Sequence, residues 1–171
     1  MQLPASETGG QPAATQPRVR TAQGSSPRTS TRSALVMMGD EEERRVMAAC
    51  LDSLGWTSRF AANQRQAREL LAYRPASIAF VDGDNARLCW RNLVGLFRWG
   101  GPTPLPCIVV STRIDSSFWA EVLNLGGYDL VPKPPDAAQL GWVIETAQLS
   151  ANRPHTPVDI RSKEQSLWIA C

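Results

Sequence analysis

The stretch from Ser77 to Asp84, Ser-Ile-Ala-Phe-Val-Asp-Gly-Asp, decides how the rest of this sequence is interpreted. It follows Pro75 and contains β-branched, aromatic and small residues up to a polar break at Asp82. This composition predicts a short buried strand. Because ligands in open α/β sheets bind outside the carboxyl ends of the strands, the carboxylate at that end makes Asp82 a candidate functional residue.

Three more apolar runs of strand length and a less apolar strand candidate at 57–61 accompany this stretch, and a helical pattern follows each of the five. The strands are predicted at 34–38, 57–61, 77–82, 107–110 and 128–131. Asp40 as N-cap and Glu43 three residues later predict a capping box at the start of the first helix. Buried strands separated by amphipathic helices indicate a parallel sheet covered on both faces. The predicted fold is therefore α/β: a five-stranded, doubly wound parallel sheet in a flavodoxin-like (βα)5 three-layer sandwich.

The composition changes at both ends of this region. Residues 1–33 are rich in Gln, Pro, Ser, Thr, Ala and Gly and have almost no large apolar side chains, which predicts a disordered N-terminal tail. Residues 34–150 form the predicted domain. Residues 151–171 form a predicted C-terminal tail, whose last apolar residues can dock on the domain or on a partner.

Composition and motifs exclude several classes of protein. The net charge is only +2, so bulk charge favours no particular partner. No apolar run approaches the roughly 20 residues of a membrane span, and the N-terminus lacks the pattern of a secretory signal. The four cysteines form no CxxC pair, and a reducing cytoplasmic location is expected. His155 is the single histidine, which argues against a histidine-based triad or a histidine-rich zinc site.

Three polar residues stand where predicted strands end: Asp82 after the third, Ser111 after the fourth, and Lys133, followed by Pro134, after the fifth. In order and spacing, this set resembles the active site of response-regulator receiver domains, over roughly residues 34–149. The resemblance implies that Asp82 accepts a phosphoryl group from a histidine kinase. It also implies that Ser111 hydrogen-bonds a phosphoryl oxygen, that Lys133 pairs with the phosphate, and that the Lys133–Pro134 peptide bond is cis.

The resemblance further implies a Mg²⁺ ion held by two acids after the first strand, by Asp82 and by the backbone carbonyl of Asp84. Met38 and Gly39 stand at the two acid positions, and Asp40 follows one residue later. Asp40 is a candidate metal ligand, but a helix N-cap is its favoured role. Mg²⁺ usually binds through one or two carboxylates. Because Met38 and Gly39 supply none at the two acid positions, Mg²⁺ binding is expected to be weak or absent.

Each of these residues also has a purely structural explanation. Asp82 or Asp84 can cap the third helix, which is predicted to begin near Ala86. Ser111 can bond nearby backbone, and Lys133 can be a solvated loop lysine. Only the joint occurrence of the three residues in register favours a functional site.

The expected function is that of a stand-alone receiver-like signalling domain of a phosphorelay, which accepts a phosphoryl group on Asp82. It is not expected to be an enzyme, beyond self-phosphorylation and dephosphorylation at Asp82. The implied partners are a histidine kinase or phosphotransfer protein, a downstream protein target and, as an open alternative, a second copy of the chain. No membrane partner is expected, and DNA binding is disfavoured.

Two alternatives stay open at this point. The first is a pseudo-receiver, which uses the same fold as a phosphate-independent interaction module with an incomplete Mg²⁺ site. The second is a small flavodoxin-like enzyme or nucleotide binder, which is disfavoured because the sequence contains neither GxGxxG nor GxxxxGK[ST]. Trp119 and Trp142 are candidate anchors for a partner, although core packing is the favoured interpretation of both.

Overall fold

The structure is a computed structural model, and it describes residues 32–101 and 103–151. Strands and helices alternate throughout: β1 (Ser33–Met37), α1 (Glu41–Ser53), β2 (Thr57–Phe60), α2 (Gln64–Tyr73), β3 (Ile78–Asp82), α3 (Trp90–Trp99), β4 (Cys107–Ser111), α4 (Ser116–Asn124), β5 (Asp129–Pro132) and α5 (Ala137–Ala151). Most of the predicted tails, residues 1–31 and 152–171, lie outside the described residues, but Ser33 begins β1 and Ala151 ends α5, so the domain extends slightly beyond the predicted 34–150. Among the described helices, none combines the length and apolar character needed to cross a membrane.

The five strands form one sheet in the order β2-β1-β3-β4-β5, and every neighbouring pair is parallel. The predicted fold class is confirmed. The strand order reverses between β1 and β3, and in open α/β sheets ligands bind at such a switch point, outside the carboxyl ends of the strands. Asp82, the last residue of β3, lies at this edge.

Helices cover both faces of the sheet, and each face has its own core. Val81 points to the core on the side of α3 and α4, together with Leu93 and Phe118. Phe80 points to the opposite core, which α1 and α5 close with Met47 and other apolar side chains. Because successive side chains alternate between two buried faces, the central strands read as continuous apolar runs.

Helix α3 begins at Trp90, later than the predicted start near Ala86. A turn at Asn85 takes the place of the first helical turn. Its side-chain Oδ1 accepts a hydrogen bond from the backbone N–H of Arg87 at 2.9 Å, and its carbonyl accepts one from Leu88 at 3.1 Å. Such a side-chain turn competes with helix formation.

The residue before α3 is Cys89, with a left-handed backbone (φ 36°), and no side chain among the described residues caps this helix. The interpretation of Asp82 or Asp84 as its cap is therefore wrong. By contrast, the side chains of Asn63 and Asp115 cap α2 and α4.

The start of α1 confirms the predicted role of Asp40 as N-cap. Its Oδ1 accepts hydrogen bonds from the backbone N–H groups of Glu42 at 2.9 Å and Glu43 at 3.0 Å. The other half of the predicted capping box is wrong, because the Glu43 carboxylate binds Lys133 instead of the Asp40 amide. An N-cap side chain satisfies backbone donors that have no partner within the helix.

Candidate functional site

Asp82 is a buried carboxylate at the end of the central strand, 3% exposed. Its Oδ1 accepts hydrogen bonds from Nζ of Lys133 at 2.6 Å and from the backbone N–H of Asp84 at 3.0 Å. The backbone nitrogen of Gly39, after β1, lies 3.5 Å from its Oδ2. A buried carboxylate needs such partners, because an unpaired charge in this position would be strongly unfavourable.

Lys133 follows β5 and brings the compensating charge. Its side chain is 8% exposed, and Nζ lies 2.8 Å and 3.0 Å from the two carboxylate oxygens of Glu43 and 3.4 Å from Oδ2 of Asp84. Burial lowers the pKa of Lys133, but hydrogen bonds to Asp82 and Glu43 outweigh burial, so the pKa lies above its ordinary value. The ammonium group is therefore charged and is shared by three carboxylates.

The Asp84 side chain reaches across to the end of β4. Its Oδ1 accepts a hydrogen bond from Oγ of Ser111 at 2.5 Å, and its Oδ2 accepts one from the backbone N–H of Thr112 at 2.8 Å. Burial raises the pKa of Asp84, but the bonds from Ser111 and Thr112 and the charge of Lys133 outweigh it, so the pKa lies below the ordinary value. Asp84 is therefore an ionised acceptor for these donors.

The structure brings the predicted residues Asp82, Ser111 and Lys133 to one edge of the sheet. Lys133 is buried, so its interpretation as a solvated loop lysine is wrong. Ser111 both donates to Asp84 and accepts from the backbone N–H of Arg113 at 3.0 Å, so its expected bond to nearby backbone is also present. The Lys133–Pro134 peptide bond is cis, which confirms the resemblance at this position.

Glu43 is a site residue that the sequence interpretation missed. Its carboxylate binds Lys133 with both oxygens. The signal was helical spacing: Glu43 lies one turn before Met47, which is buried against the sheet, so both side chains face inward. The predicted capping box also explains a glutamate at position 43. That explanation hid the orientation of the Glu43 side chain toward Lys133.

The residues around Asp82 do not make up a Mg²⁺ site in this arrangement. Met38 packs in the apolar core, and a Cβ added at Gly39 would lie 1.7 Å from Nδ2 of Asn85. Asp40, the candidate ligand, uses its Oδ1 on helix amides. In the described ranges, no group of three or more His, Cys, Asp or Glu residues is placed to hold a metal ion. Mg²⁺ requires near-octahedral oxygen ligation, which this set does not supply.

A cavity of about 500 Å³ opens beside the site between β3, β4 and the helices that follow them. Asp84 and Ser111 line it together with Trp90, Arg91 and Arg113. Both arginines already pair with acids: Arg91 with Glu121 at 2.6 Å and Arg113 with Asp115 at 2.9 Å. The Asp84 side chain, which is 30% exposed, reaches solvent on this side.

No family profile matches the chain. Among curated proteins, it is 24% identical over 131 residues to an NtrX-like response regulator of Rickettsia bellii, which covers 75% of this chain and 27% of that protein. It is 28% identical over 135 residues to the response regulator PilR of Pseudomonas aeruginosa, covering 77% of this chain and 30% of that protein. The chain thus spans less than a third of the length of these relatives.

Solved structures give the same result for the fold. NtrX from Brucella abortus superposes with a TM-score of 0.61 at 24% identity, over 70% of this chain and 26% of that one. A response regulator from Thermotoga maritima superposes with a TM-score of 0.61 at 19% identity, over 68% of this chain and 97% of that one.

Fold and site together define a doubly wound α/β domain in which an acid, a hydroxyl residue and a lysine meet at the carboxyl edge of the sheet. The sequence relatives are response regulators. These similarities support a divergent receiver domain, related in fold and sequence to those of response regulators.

Proposed function

We propose that this domain is a signalling receiver that accepts a phosphoryl group on Asp82 and then acts on other proteins. The observation that carries the proposal is the pairing of buried Asp82 with Lys133 at 2.6 Å, next to the hydroxyl of Ser111. The phosphoryl donor would be a histidine kinase or phosphotransfer protein. A downstream protein target, or a second copy of the chain, would read the state of the site in the cytoplasm.

The transfer follows from the chemistry of the residues. One Asp82 oxygen attacks phosphorus, so that a new O–P bond forms while the P–N bond to the donor phosphohistidine breaks and the leaving imidazole takes up a proton. The transferred group carries negative charge on its outer oxygens, which the Lys133 ammonium, the Ser111 hydroxyl and the Thr112 amide can stabilise. Self-phosphorylation and dephosphorylation at Asp82 are the only reactions proposed, and Mg²⁺ binding is proposed to be weak.

The proposal is tested by incubation with acetyl phosphate, with and without Mg²⁺, followed by intact mass. The expected result is a gain of one phosphoryl group in the wild type and none in Asp82→Asn. The exposed Asp52 on α1 provides a matched control, and Asp52→Asn should gain the same mass as the wild type. An equal gain in Asp82→Asn, or no gain in any protein, would overturn phosphoryl transfer to Asp82.

A second candidate function is a phosphate-independent interaction module. Met38 and Gly39, at the positions where the family has acids, favour it. Beryllofluoride with Mg²⁺, a stand-in for a phosphoryl group on a carboxylate, separates the two candidates. Trp90 lines the cavity at the site, so its fluorescence reports binding, and Trp90→Phe identifies its share of the signal. Tight binding that is lost in Asp82→Asn argues against the phosphate-independent module.

The surface for protein contacts is proposed on α4, β5 and α5. Trp119 on α4 is 47% exposed and Trp142 on α5 is 63% exposed, so their interpretation as core residues is wrong. Nε1 of Trp119 donates a hydrogen bond to Oδ1 of Asp129 at 3.0 Å, which fixes the ring on this face. Exposed aromatic anchors of this kind are enriched at protein interfaces.

A further inference from the structure

We propose that Asp84 is a built-in anion, which occupies the donors of the receiver site and must leave before a phosphate-like group can bind them. The inference rests on the proposed function in one respect: these donors are the ones that would stabilise the phosphoryl group on Asp82. The external ligand is therefore an orthophosphate-type oxyanion. Asp84 lies two residues after the acceptor, on the same loop.

Three donors of different kinds converge on the Asp84 carboxylate. The hydroxyl of Ser111 binds one oxygen at 2.5 Å, the backbone N–H of Thr112 binds the other at 2.8 Å, and Nζ of Lys133 lies 3.4 Å from that second oxygen. A hydroxyl, a backbone amide and an ammonium group directed at one point form an anion site. The anion that fills it belongs to the chain itself.

The position of Asp84 allows it to leave. Its side chain is 30% exposed, whereas that of Asp82 is 4% exposed. Asp84 and Ser111 both line the cavity of about 500 Å³, which gives the displaced carboxylate a path to water. The two carboxylates thus differ in burial. The buried Asp82 side chain stays in place as the proposed acceptor, and the more exposed Asp84 side chain is the one that can swing away.

An internal competitor weakens the binding of an external anion, because the anion can bind only while the donors are free. The apparent dissociation constant is the intrinsic one divided by the fraction of time that the donors are free. If Asp84 holds the donors for about nine tenths of the time, removing its carboxylate strengthens anion binding by about tenfold. Removing any nearby negative charge also strengthens anion binding to some extent. The test must separate occupation of the donors from general electrostatics.

Glu43 provides the matched control. Its carboxylate also binds Lys133, at 2.8 Å, but the structure gives it no bond to Ser111 or Thr112 among the described residues. Glu43→Gln therefore removes one negative charge from the site and leaves Asp84 on its donors. Asp84→Ala removes both the charge and the occupant, and Asp84→Asn removes the charge while it keeps the shape of the side chain.

The experiment is a titration of inorganic phosphate, without metal or phosphoryl donor, followed by the backbone amide signal of Thr112 in two-dimensional NMR. Asp84→Ala is expected to bind phosphate at least about tenfold more tightly than the wild type, with a saturable shift of the Thr112 amide. Asp84→Asn is expected to gain less, because its amide oxygen can still accept from the same donors. Glu43→Gln is expected to show a clearly smaller change. The spectra of the two Asp84 variants also show directly whether each remains folded.

Equal phosphate affinity in the wild type and both Asp84 variants contradicts the proposal. An increase in Glu43→Gln as large as that in Asp84→Ala also contradicts it, because charge alone would then explain the effect. Repeating the titration in Asp82→Asn combined with Asp84→Ala keeps the result independent of phosphoryl transfer. Loss of phosphorylation at Asp82 would overturn the proposed function, whereas unchanged phosphate binding would overturn the role of Asp84.

Discussion

Oε2 of Glu43 lies 2.8 Å from Nζ of Lys133, and this contact joins the first turn of α1 to the end of β5. The pair lies beside Asp82, which the same ammonium group also binds. Lys133 thus balances the Asp82 carboxylate and links the first turn of α1 to the end of β3. The Lys133 side chain is buried. Removing one member of the Glu43–Lys133 pair therefore leaves the charge of the other less well compensated than the same loss would in an exposed ion pair.

We expect Glu43→Ala to lower the free energy of unfolding by about 1.5–3 kcal/mol, the range for a hydrogen bond to a charged group. Glu42→Ala is the control, because Glu42 pairs only with exposed Arg45 among the described residues, at 3.2 Å. That variant should stay within about 0.5 kcal/mol of the wild type. Urea denaturation of both variants measures the difference, and equal losses would show that the contact with Lys133 contributes nothing specific.

Gly83 separates Asp82 from Asp84, and it has no room for a side chain. A Cβ at this position would lie 2.8 Å from Cγ1 of Val109 and 3.1 Å from Cβ of Ser111. We expect Gly83→Ala to destabilise the fold by about 1–3 kcal/mol, as overpacking of a core does.

Gly101 is the control for that substitution, since a Cβ there would meet Thr103 only at an ordinary 3.7 Å. Thermal unfolding of Gly83→Ala and Gly101→Ala gives the comparison. Similar melting temperatures for the two variants would contradict the close packing of the loop after β3.

The proposal that the metal site is incomplete can be tested by rebuilding it. Asn85 fills the space that a side chain at Gly39 would need, with its Nδ2 1.7 Å from the position of a Cβ. We expect Gly39→Asp combined with Asn85→Ala to bind Mg²⁺ at least about tenfold more tightly than the wild type, because it adds a carboxylate ligand beside Asp82.

Calorimetric titration with Mg²⁺ measures this gain. Gly39→Asp alone should gain less, because Asn85 must first move away. Equal affinity of the single and double variants would show that Asn85 does not restrict the site, and no gain in either would show that the missing acid does not limit Mg²⁺ binding.

Asp115 gives a dependence on pH. Its Oδ1 accepts from the backbone N–H of Phe118 at 2.8 Å and its Oδ2 from Arg113 at 2.9 Å. The bond from Phe118, with that from Arg113, lowers the pKa of Asp115 below its ordinary value. Its carboxylate therefore stabilises the fold above the ordinary Asp pKa of about 3.9, and this contribution is lost as the pH falls through the lower folded pKa.

Asp115→Asn tests this dependence, because Asn still caps α4 but does not titrate. We expect the wild type to be more stable than the variant near neutral pH and the difference to vanish in acid. Denaturant midpoints across the acid range measure it. A difference that stays constant with pH would contradict a role for the Asp115 charge.

The order of elements and the meeting of Asp82, Ser111 and Lys133 could be predicted from the sequence, for a physical reason. Apolar runs between amphipathic helices specify a parallel sheet, and in such a sheet all carboxyl ends of strands lie at one edge. Polar residues at those ends must then be neighbours. The same argument identified Met38 and Gly39 as departures, since position alone places them beside Asp82.

The orientation of individual side chains could not be predicted in the same way. Asp84 and Glu43 each have short-range options, a helix cap or a capping box, that the sequence makes explicit. The partners they bind instead, Ser111 and Lys133, are distant in the chain, and only the folded sheet brings them close. The start of α3 was predicted too early for a related reason. A side-chain turn at Asn85 competes with helix formation, and it hardly alters the spacing of apolar residues from which the helix was predicted.

The most direct test of the central claim is to locate the phosphoryl group. The protein is incubated with acetyl phosphate, the acyl phosphate is reduced with borohydride to homoserine, and the peptide that contains Asp82 and Asp84 is sequenced by mass spectrometry. We expect homoserine at Asp82, with unmodified Asp84, and a higher yield in Asp84→Asn. Homoserine at Asp84, or its absence from this peptide in both proteins, would contradict Asp82 as the phosphoacceptor.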